Sequence, residues 1–563
     1  MSQRKSNASY LIQGSILAIA SIISRIIGLV YRIPLTAIIG DHGNDYYSTA
    51  FEIYSLLLMI SSYSLPMAVS KMVSTRLAKK EAYNADRVFK GALIFALVSG
   101  TVCTLIIYFF AGPLCGIFKT PMAIYALRVL APTLLIVAFL GVIRGFFQGL
   151  GTMIPSAISQ VVEQIINAVV SVGAAYVLFH YGLRAVAAGA DAEIPSAYGA
   201  AGGTLGTCIG ALFGLLFVLF VYVTFRPSFA RRVRKDRDSA KRSDENYSGI
   251  MKALLLTIIP ILLSTTVYNL VNIVDQGLFK NIANLQNYSA YDISTWWGVY
   301  AGKYRVLVNV PISIASALAV SAVPALSGAF AKRQYKEVRH KIGMSLRFGM
   351  VVAFPCTAGL MVLASPIQQL LFNDATPLAA NLMIYGSICV IFYSISTFSN
   401  AVLQSIDKMI IPVRNAVIAL VIQAAALYVA MYLFKTNIYS VILANLVFSV
   451  VMCILNGVSV QVYSGFRVNA MKTFIKPAAA SVIMGVCVYL SYLLIRHLAD
   501  GIHNTVIAAH SSDIATVAAI VIGIIVYVVA FLAIRGITEQ ELLSFPKGTA
   551  IIRVGKKLHL LPK

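Results

Sequence analysis

The segment ASYLIQGSILAIASIISRIIGLVYRIPLTAII, Ala8 to Ile39, decides how the rest of the chain is interpreted. It is long enough to cross a bilayer, which needs about 20 apolar residues. Yet it contains Arg25 and Arg32 and no carboxylate. An arginine at the centre of a membrane helix costs about 2.5–3.5 kcal/mol on insertion scales, so two of them need a common cause. Their spacing is nearly two helical turns, which places both guanidinium groups on one face. A water-filled cavity that holds an anion explains the pair, and Gly28 and Pro34 are expected to let the helix bend.

The composition is that of a membrane protein. The chain has 563 residues, of which 59% are hydrophobic and 12% charged, and its mean hydropathy is +0.82. We therefore expect an all-α polytopic protein, since a membrane β-barrel would show alternating segments of about ten residues. The net charge is +24, but lysine and arginine occupy short gaps between apolar runs. This distribution reflects membrane topology and argues against a nucleic-acid partner.

We predict fourteen spans from the apolar runs, and the basic residues of alternate loops place both termini in the cytoplasm. The protein is therefore expected to be a multi-pass membrane protein. The predicted spans are 8–39, 46–75, 88–111, 121–147, 155–180, 197–225, 250–280, 295–328, 343–365, 376–404, 410–433, 438–463, 472–497 and 514–535.

Two pairs of similar segments indicate an internal repeat. SKMVSTRLAKKEAY after span 2 matches PALSGAFAKRQYKEV after span 8 at an offset of 253 residues, and Pro155 after span 4 matches Pro412 after span 10 at an offset of 257. Six spans separate the matches, so the halves have parallel topology, which is typical of transporters. We predict a six-helix lobe at 1–225, a basic linker at 226–249, a second six-helix lobe at 250–466, helices 13 and 14 at 467–535 and a basic cytoplasmic tail at 536–563.

The linker contains the strongest basic run of the chain, RRVRKDRDSAKR. One interpretation is a solvated segment that fixes the membrane topology. The alternative is that the same charges bind acidic lipid headgroups. The sequence leaves both open.

Cations outnumber carboxylates among the charges embedded in the spans, which suits a phosphate group because guanidinium donates two parallel hydrogen bonds to it. The candidate phosphate-binding residues are Arg25, Arg32, Lys303 and Arg305. Lys303 and Arg305 are two residues apart and point in nearly opposite directions, so only one is expected to face the cavity fully. The candidate coupling or charge-balancing residues are Asp275, Glu163, Glu52 and Asn272. Asp275 could pair with a cavity cation or bind a coupling ion.

Catalysis is not expected from this sequence. It has no P-loop, no HExxH and no apparent Ser-His-Asp or Cys-His arrangement. The seven cysteines are scattered singly without CxxC or another metal-ligand spacing, so no metal site or cofactor is expected. A proton or sodium ion remains open as a coupling ion.

The segment SRIIGLVYR (24–32), the two predicted halves, the two extra spans and the ending FPKGTAIIRVGKKLHLLPK resemble one family. The chain resembles the polysaccharide transport branch of the multidrug/oligosaccharidyl-lipid/polysaccharide exporter superfamily. Within that branch it is similar to the stage V sporulation protein B and YtgP-like group, which is itself similar to the MurJ lipid II flippases.

The resemblance implies a V-shaped bundle of two lobes with a cationic cavity that flips undecaprenyl-pyrophosphate-linked sugars, with lipid II as the expected cargo. It also implies that Arg25, in its Ser-Arg-x-x-Gly pattern, contacts the pyrophosphate. MurJ-type sequences place their second arginine six residues later, where this chain has Tyr31; Arg32 is one residue further on. The last two spans would form a groove for the lipid tail.

Three functions remain open from the sequence. The leading hypothesis is a flippase for lipid II or for another lipid-linked polysaccharide, as a monomer that contacts membrane lipids, with cell-wall synthesis proteins as candidate partners. A multidrug or cation antiporter would use Asp275 and Glu163 to bind organic cations. A membrane scaffold for cell-wall or spore-coat synthesis would use the basic linker for docking.

Overall fold

The computed structural model describes residues 16–17, 19–237, 245–501 and 510–536. All regular secondary structure in these ranges is helical, which confirms the predicted all-α class. The chain forms two compact units, Met1–Gly302 and Lys303–Lys563. These units divide the chain later than the predicted linker at 226–249, and the predicted lobes and their repeat stay predictions. The predicted tail, from residue 537 onwards, lies outside the described residues.

The first unit contains nine α-helices, most of them long and apolar, among its described residues. They are α1 (Ile19–Val30), α2 (Arg32–Leu58), α3 (Leu65–Ala78), α4 (Ala82–Ile117), α5 (Ile124–Gly149), α6 (Ile154–Ala187), α7 (Ile194–Arg237), α8 (Tyr247–Leu285) and α9 (Ala290–Val299). A π-helical turn at Met59–Tyr63 joins α2 to α3, and a 3₁₀ turn at Pro121–Ala123 precedes α5.

The second unit begins within a π-helical turn at Tyr300–Tyr304. Its helices, within the described ranges, are α10 (Arg305–Ala331), α11 (Tyr335–Val362), α12 (Ala364–Phe372), α13 (Pro377–Gly386), α14 (Cys389–Ser405), α15 (Ile410–Tyr432), α16 (Tyr439–Ser464), α17 (Lys476–Asp500) and α18 (Ser511–Ala533). A further π-helical turn at Met471–Ile475 precedes α17.

The described helices include eleven that are long and apolar enough to cross a membrane, or twelve when the bent pair α13–α14 is taken as one span. This confirms a polytopic helical membrane protein. The count of fourteen, the repeat and the cytoplasmic location of both termini stay predictions. The pair α13–α14, which corresponds to the predicted span 376–404, bends by 40°.

The helix that continues the first predicted span has non-helical backbone angles at Gly40, one residue beyond that span. The amide of Tyr31 donates to the carbonyl of Ile27 at 3.1 Å, and the carbonyl of Tyr31 accepts from Leu35 at 3.1 Å, so α1 continues into α2 with helical hydrogen bonds. Bending at Gly28 and Pro34 stays a prediction. The break falls at Gly40, whose φ of 68° only glycine adopts without strain.

The segment after Gly40 continues as helix, although the sequence predicted a loop between spans 1 and 2. The side-chain amide of Asn44 donates to the carbonyl of Gly40 at 2.8 Å and so satisfies an acceptor that the break exposes. Residues Gly43 to Ala50 are buried, which explains why this polar stretch folds as helix rather than as an exposed loop.

Two glycines, Gly298 in α9 and Gly302 in the π-helical turn that follows it, allow this part of the chain to pack closely against α2. A Cβ at Gly298 would lie 1.9 Å from the carbonyl oxygen of Asp41, and one at Gly302 would lie 2.5 Å from the side chain of Asn44. Glycines four residues apart allow such backbone contact between membrane helices. The hydroxyl of Thr36 donates to the carbonyl of Gly302 at 3.4 Å across the same contact.

Replacing Gly298 with valine is expected to lower the stability of the folded protein by at least 1–3 kcal/mol, the usual cost of overpacking. The added atoms meet backbone, which cannot move as a flexible side chain can. Thermal unfolding of the purified protein in detergent measures the effect. Gly173→Ala in α6, where a Cβ would meet nothing within 4 Å, is the control. Equal melting temperatures for both variants would contradict the proposed close packing.

The second unit has its own apolar cores. One includes Leu326, Val338 and Leu403 from α10, α11 and α14, and another includes Ala315, Leu346 and Phe398 from the same three helices. The hydroxyl of Tyr527 in α18 donates to the carbonyl of Val351 in α11 at 2.8 Å. The last two helices therefore pack within this unit.

Candidate functional site

The two arginines of the first span lie on one continuous stretch of helix in the first unit. Arg25 is exposed, although its span is otherwise apolar. No hydrogen bond or ion pair reaches it from the part of the chain that the structure describes. Arg32 is half-buried, and its guanidinium carbon lies 4.1 Å from the centre of the Tyr47 ring. Stacking on the ring holds the planar guanidinium in place by a cation–π interaction.

Polar groups of α6 line this part of the first span. The hydroxyl of Ser21 donates to the side-chain oxygen of Gln160 at 3.3 Å, and that of Ser24 donates to the backbone carbonyl of Gln160 at 3.4 Å. The amide of Asn167 donates to the Tyr31 hydroxyl at 3.5 Å. Since membrane helices expose polar groups to water or protein rather than to lipid, this face marks a polar path.

Of the carboxylates predicted to balance a cavity cation, Glu163 has an ion-pair partner in the first unit. Glu163 pairs with Arg144 at 2.8 Å, and Arg144 also donates to the hydroxyl of Ser159 at 2.8 Å. The sequence analysis did not single out Arg144. Glu52 and Asp275 are buried. The other predicted residue of this group, Asn272, is half-buried.

A buried ion pair between α2 and α8 is a feature that sequence reasoning missed. The ammonium group of Lys280 donates to the carboxylate of Asp45, and both side chains are almost fully buried. Lys280 also donates to the hydroxyls of Thr120 at 2.6 Å and Thr49 at 3.3 Å. Gln276 donates to Thr49 at 2.5 Å. The predicted topology could have suggested this pair, because Asp45 and Lys280 lie at ends of spans that are predicted to be on the same side of the membrane.

This ion pair borders a cavity of about 220 Å³ in the first unit. His42, Lys119 and Glu193 are among its lining residues. The Nδ1 atom of His42 lies 3.1 Å from the Glu193 carboxylate, which also accepts from the Tyr46 hydroxyl at 2.6 Å. Charges of both signs therefore meet there, in contrast to the excess of cations on the first span.

In the second unit, Lys303 is buried and pairs with Asp374 at 2.7 Å. Burial disfavours the charged form of Asp374, but the hydrogen bonds from Lys303 and Thr376 outweigh it and lower the pKa of this loop carboxyl. Arg305 is half-buried and Asn309, one turn further along α10, is exposed. Which of Lys303 and Arg305 faces a cavity stays a prediction.

The sequence is similar to known families of membrane proteins. It matches the polysaccharide biosynthesis protein family over residues 11–330, and the MatE family over residues 306–429. These matches define a multi-pass membrane transport protein and not an enzyme. The chain belongs to the polysaccharide biosynthesis protein family, within the multidrug/oligosaccharidyl-lipid/polysaccharide exporter superfamily, and lies in the cytoplasmic membrane.

Two relatives from Bacillus subtilis (strain 168) carry functional names. The chain is 26% identical over 434 residues to the lipid II flippase MurJ, covering 74% of this chain and 76% of that protein. It is 23% identical over 547 residues to stage V sporulation protein B, covering 96% of this chain and 98% of that protein. The predicted superfamily and branch are confirmed.

Solved structures show the same fold. An inward-facing multidrug resistance MATE transporter superposes with a TM-score of 0.63 at 16% identity, covering 80% of this chain and 99% of that one. The lipid II flippase MurJ in its inward closed conformation superposes with a TM-score of 0.60 at 16% identity, covering 91% and 97%. Because one fold hosts several cargoes, the cargo has to be argued from the site.

Proposed function

We propose that this protein is a flippase that moves an undecaprenyl-pyrophosphate-linked glycan across the cytoplasmic membrane by alternating access, with lipid II as the expected cargo. The observation that carries the proposal is the exposed guanidinium group of Arg25 within an apolar span, close to Arg32. The cost of a charge at this depth is offset when a phosphate and water surround it.

The chemistry of the first span suits a pyrophosphate. Guanidinium groups can each donate two parallel hydrogen bonds to phosphate oxygens. Arg32 is already oriented by the Tyr47 ring, so little conformational entropy is lost when it binds an anion. Arg25 has no competing carboxylate among the described residues. In our proposal Arg25 and Arg32 hold the pyrophosphate, while the polyprenyl tail stays in the lipid.

The relatives support this cargo class. One is named a lipid II flippase and another a stage V sporulation protein. The second similarity keeps another lipid-linked glycan, including one specific to sporulation, as an alternative cargo for the same mechanism. We further propose that the protein acts as a monomer without a bound cofactor, and that a proton or sodium ion could couple transport.

A cation antiporter is the second candidate, because the chain resembles MATE structures in fold. It would need an accessible carboxylate for its organic cation. Glu163 is paired with Arg144, and Glu52 and Asp275 are buried. Arg25, by contrast, is an accessible cation within a predicted span, which favours an anionic cargo over a cationic one.

Native mass spectrometry of the purified protein tests the proposal directly. Lipid II, undecaprenyl phosphate and an ethidium-like cation are offered in competition. Selective retention of lipid II, lost in Arg25→Ala/Arg32→Ala, supports the flippase and its site together. Retention of the dye alone would favour the antiporter, and retention of none would leave the scaffold hypothesis.

Of the two cations on the second unit, Arg305 is expected to affect transport more than Lys303. The Lys303 ammonium is engaged by Asp374, whereas Arg305 shares a face with the exposed Asn309. Arg305→Gln is expected to slow translocation about tenfold, in line with the loss of one charged hydrogen bond. Lys303→Gln is expected to lower the melting temperature, because it leaves Asp374 buried and uncompensated. A flipping assay in proteoliposomes measures the effect on transport, and thermal unfolding measures the effect on stability. Slower transport in Lys303→Gln together with a lower melting temperature in Arg305→Gln would contradict the assignment.

A further inference from the structure

A second cationic feature of the first unit lies far along the chain from the arginines of the first span. A groove of about 170 Å³ lies between α4 and the end of α7. Its charged lining residues are Lys90, Arg226, Arg234 and Asp86. Three cations and one carboxylate leave a surplus of two positive charges. The distribution of lysine and arginine predicts that this end of both helices is cytoplasmic.

Hydrogen bonds fix the walls of this groove. The backbone amide of Tyr83, at the start of α4, donates to the carboxylate of Asp236, near the end of α7, at 2.8 Å. Beyond α7, the amide of Glu245 donates to the side-chain oxygen of Asn84 at 3.3 Å. The Glu245 carboxylate accepts from Arg76 at 2.5 and 3.1 Å. The basic end of α7 is therefore part of the folded unit.

The charges in the groove are not balanced internally. Lys90 pairs with Asp86 at 2.6 Å, which neutralises both. Arg226 and Arg234 are exposed, and neither forms an ion pair or hydrogen bond with the chain over its described ranges. Two guanidinium groups with free donors and a fixed spacing suit an anion with several oxygens.

Exposed apolar side chains of α7 lie next to Arg226 in the sequence. Phe220 and Val223, one to two turns before Arg226, are 71% and 60% exposed on the apolar part of α7. Phe229 is buried at the floor of the groove. A ligand that fits therefore has an anionic headgroup next to acyl chains. We propose that this groove binds the phosphate headgroup of an anionic membrane phospholipid from the cytoplasmic leaflet.

Native mass spectrometry of the full chain, released from nanodiscs of phosphatidylglycerol and phosphatidylcholine, tests this site. The wild-type protein is expected to retain phosphatidylglycerol in preference to phosphatidylcholine. Arg226→Gln/Arg234→Gln is expected to reduce that preference about tenfold, because each basic residue near the surface contributes substantially to anionic lipid binding. Inorganic phosphate added in excess should not displace the lipid.

The control is Arg231→Gln/Arg232→Gln, which removes two exposed arginines from the same end of α7 that do not line the groove. It makes the same change in net charge, so it should keep the preference. An equal loss in both double variants would mean that charge alone attracts the lipid, and no loss in either would mean that the groove does not bind it; both outcomes overturn the proposal. Complete displacement of the lipid by excess inorganic phosphate would mean that the groove binds a soluble anion, which also overturns the proposal. Melting temperatures of the three proteins show whether each remains folded.

Discussion

Arg25→Ala is expected to reduce the rate of translocation by roughly 10- to 100-fold, because a hydrogen bond between charged groups contributes about 1.5–3 kcal/mol. Arg25 is exposed on the first span, so its removal leaves no buried carboxylate without a partner among the residues described. Folding should therefore be unaffected while the pyrophosphate loses a ligand. The rate is measured with a fluorescent lipid-linked glycan in proteoliposomes.

Arg25→Lys is expected to recover part of the activity, since lysine keeps the charge but cannot donate in a bidentate manner. The matched control is Arg128→Ala in α5. Arg128 is also an exposed arginine of a membrane helix in the first unit, and its guanidinium lies over the ring of Tyr108. Full translocation by Arg25→Ala, or an equal loss in Arg128→Ala, would refute the role assigned to Arg25.

Lys280→Met is expected to lower the free energy of unfolding by about 3–5 kcal/mol, the usual cost of removing one partner of a buried ion pair. The Asp45 carboxylate would stay buried without its ammonium partner, and Thr120 would lose a charged donor. Unfolding by denaturant in detergent, followed by circular dichroism, measures the change.

The double variant Asp45→Leu/Lys280→Met is expected to regain much of the stability, because it leaves no uncompensated charge. Lys341→Met is the control: its pair with Glu337 is far less buried, with side-chain exposures of 31% and 44%, and pairs near the surface contribute at most about 1 kcal/mol. A double variant less stable than either single variant would show that the ion pair itself is strongly stabilising.

The sequence predicted the parts of this protein that follow from the cost of charge in lipid. Long apolar runs identified a helical membrane protein, and Arg25 and Arg32 were singled out because few environments tolerate them there. Both indeed lie on one helical stretch lined by polar groups of α6. Their binding role stays a prediction.

Partner choice could not be predicted in the same way, because it depends on which helices pack together. Glu163 was a candidate partner for the arginines of the first span but pairs with Arg144. Lys303 was a candidate for the site but pairs with Asp374. Asp45 was read as a loop acid and is buried. Each outcome depends on contacts between residues far apart in sequence, which periodicity does not record.

The position of the helix break could also not be predicted from local sequence patterns. Glycine and proline both permit a break, and Gly28, Pro34 and Gly40 all lie within 13 residues of one another. The helix breaks at Gly40, whose backbone carbonyl accepts a hydrogen bond from the Asn44 side chain. The absence of side chains at Gly298 and Gly302 allows close packing against α2 just after this break. Tertiary packing selects among sites that the sequence merely allows.

The bonds that flank residues 238–244 have a practical consequence for handling this protein. Asp236 on one side is held by Tyr83, and Glu245 on the other by Arg76 and Asn84. Further along, Lys280 and Gly302 bind α8 and its continuation to α2. The covalent connection is thus redundant for holding these helices in one unit. The polypeptide could be cut there and supplied as two co-expressed fragments, each carrying its own tag, that reassemble without a peptide link.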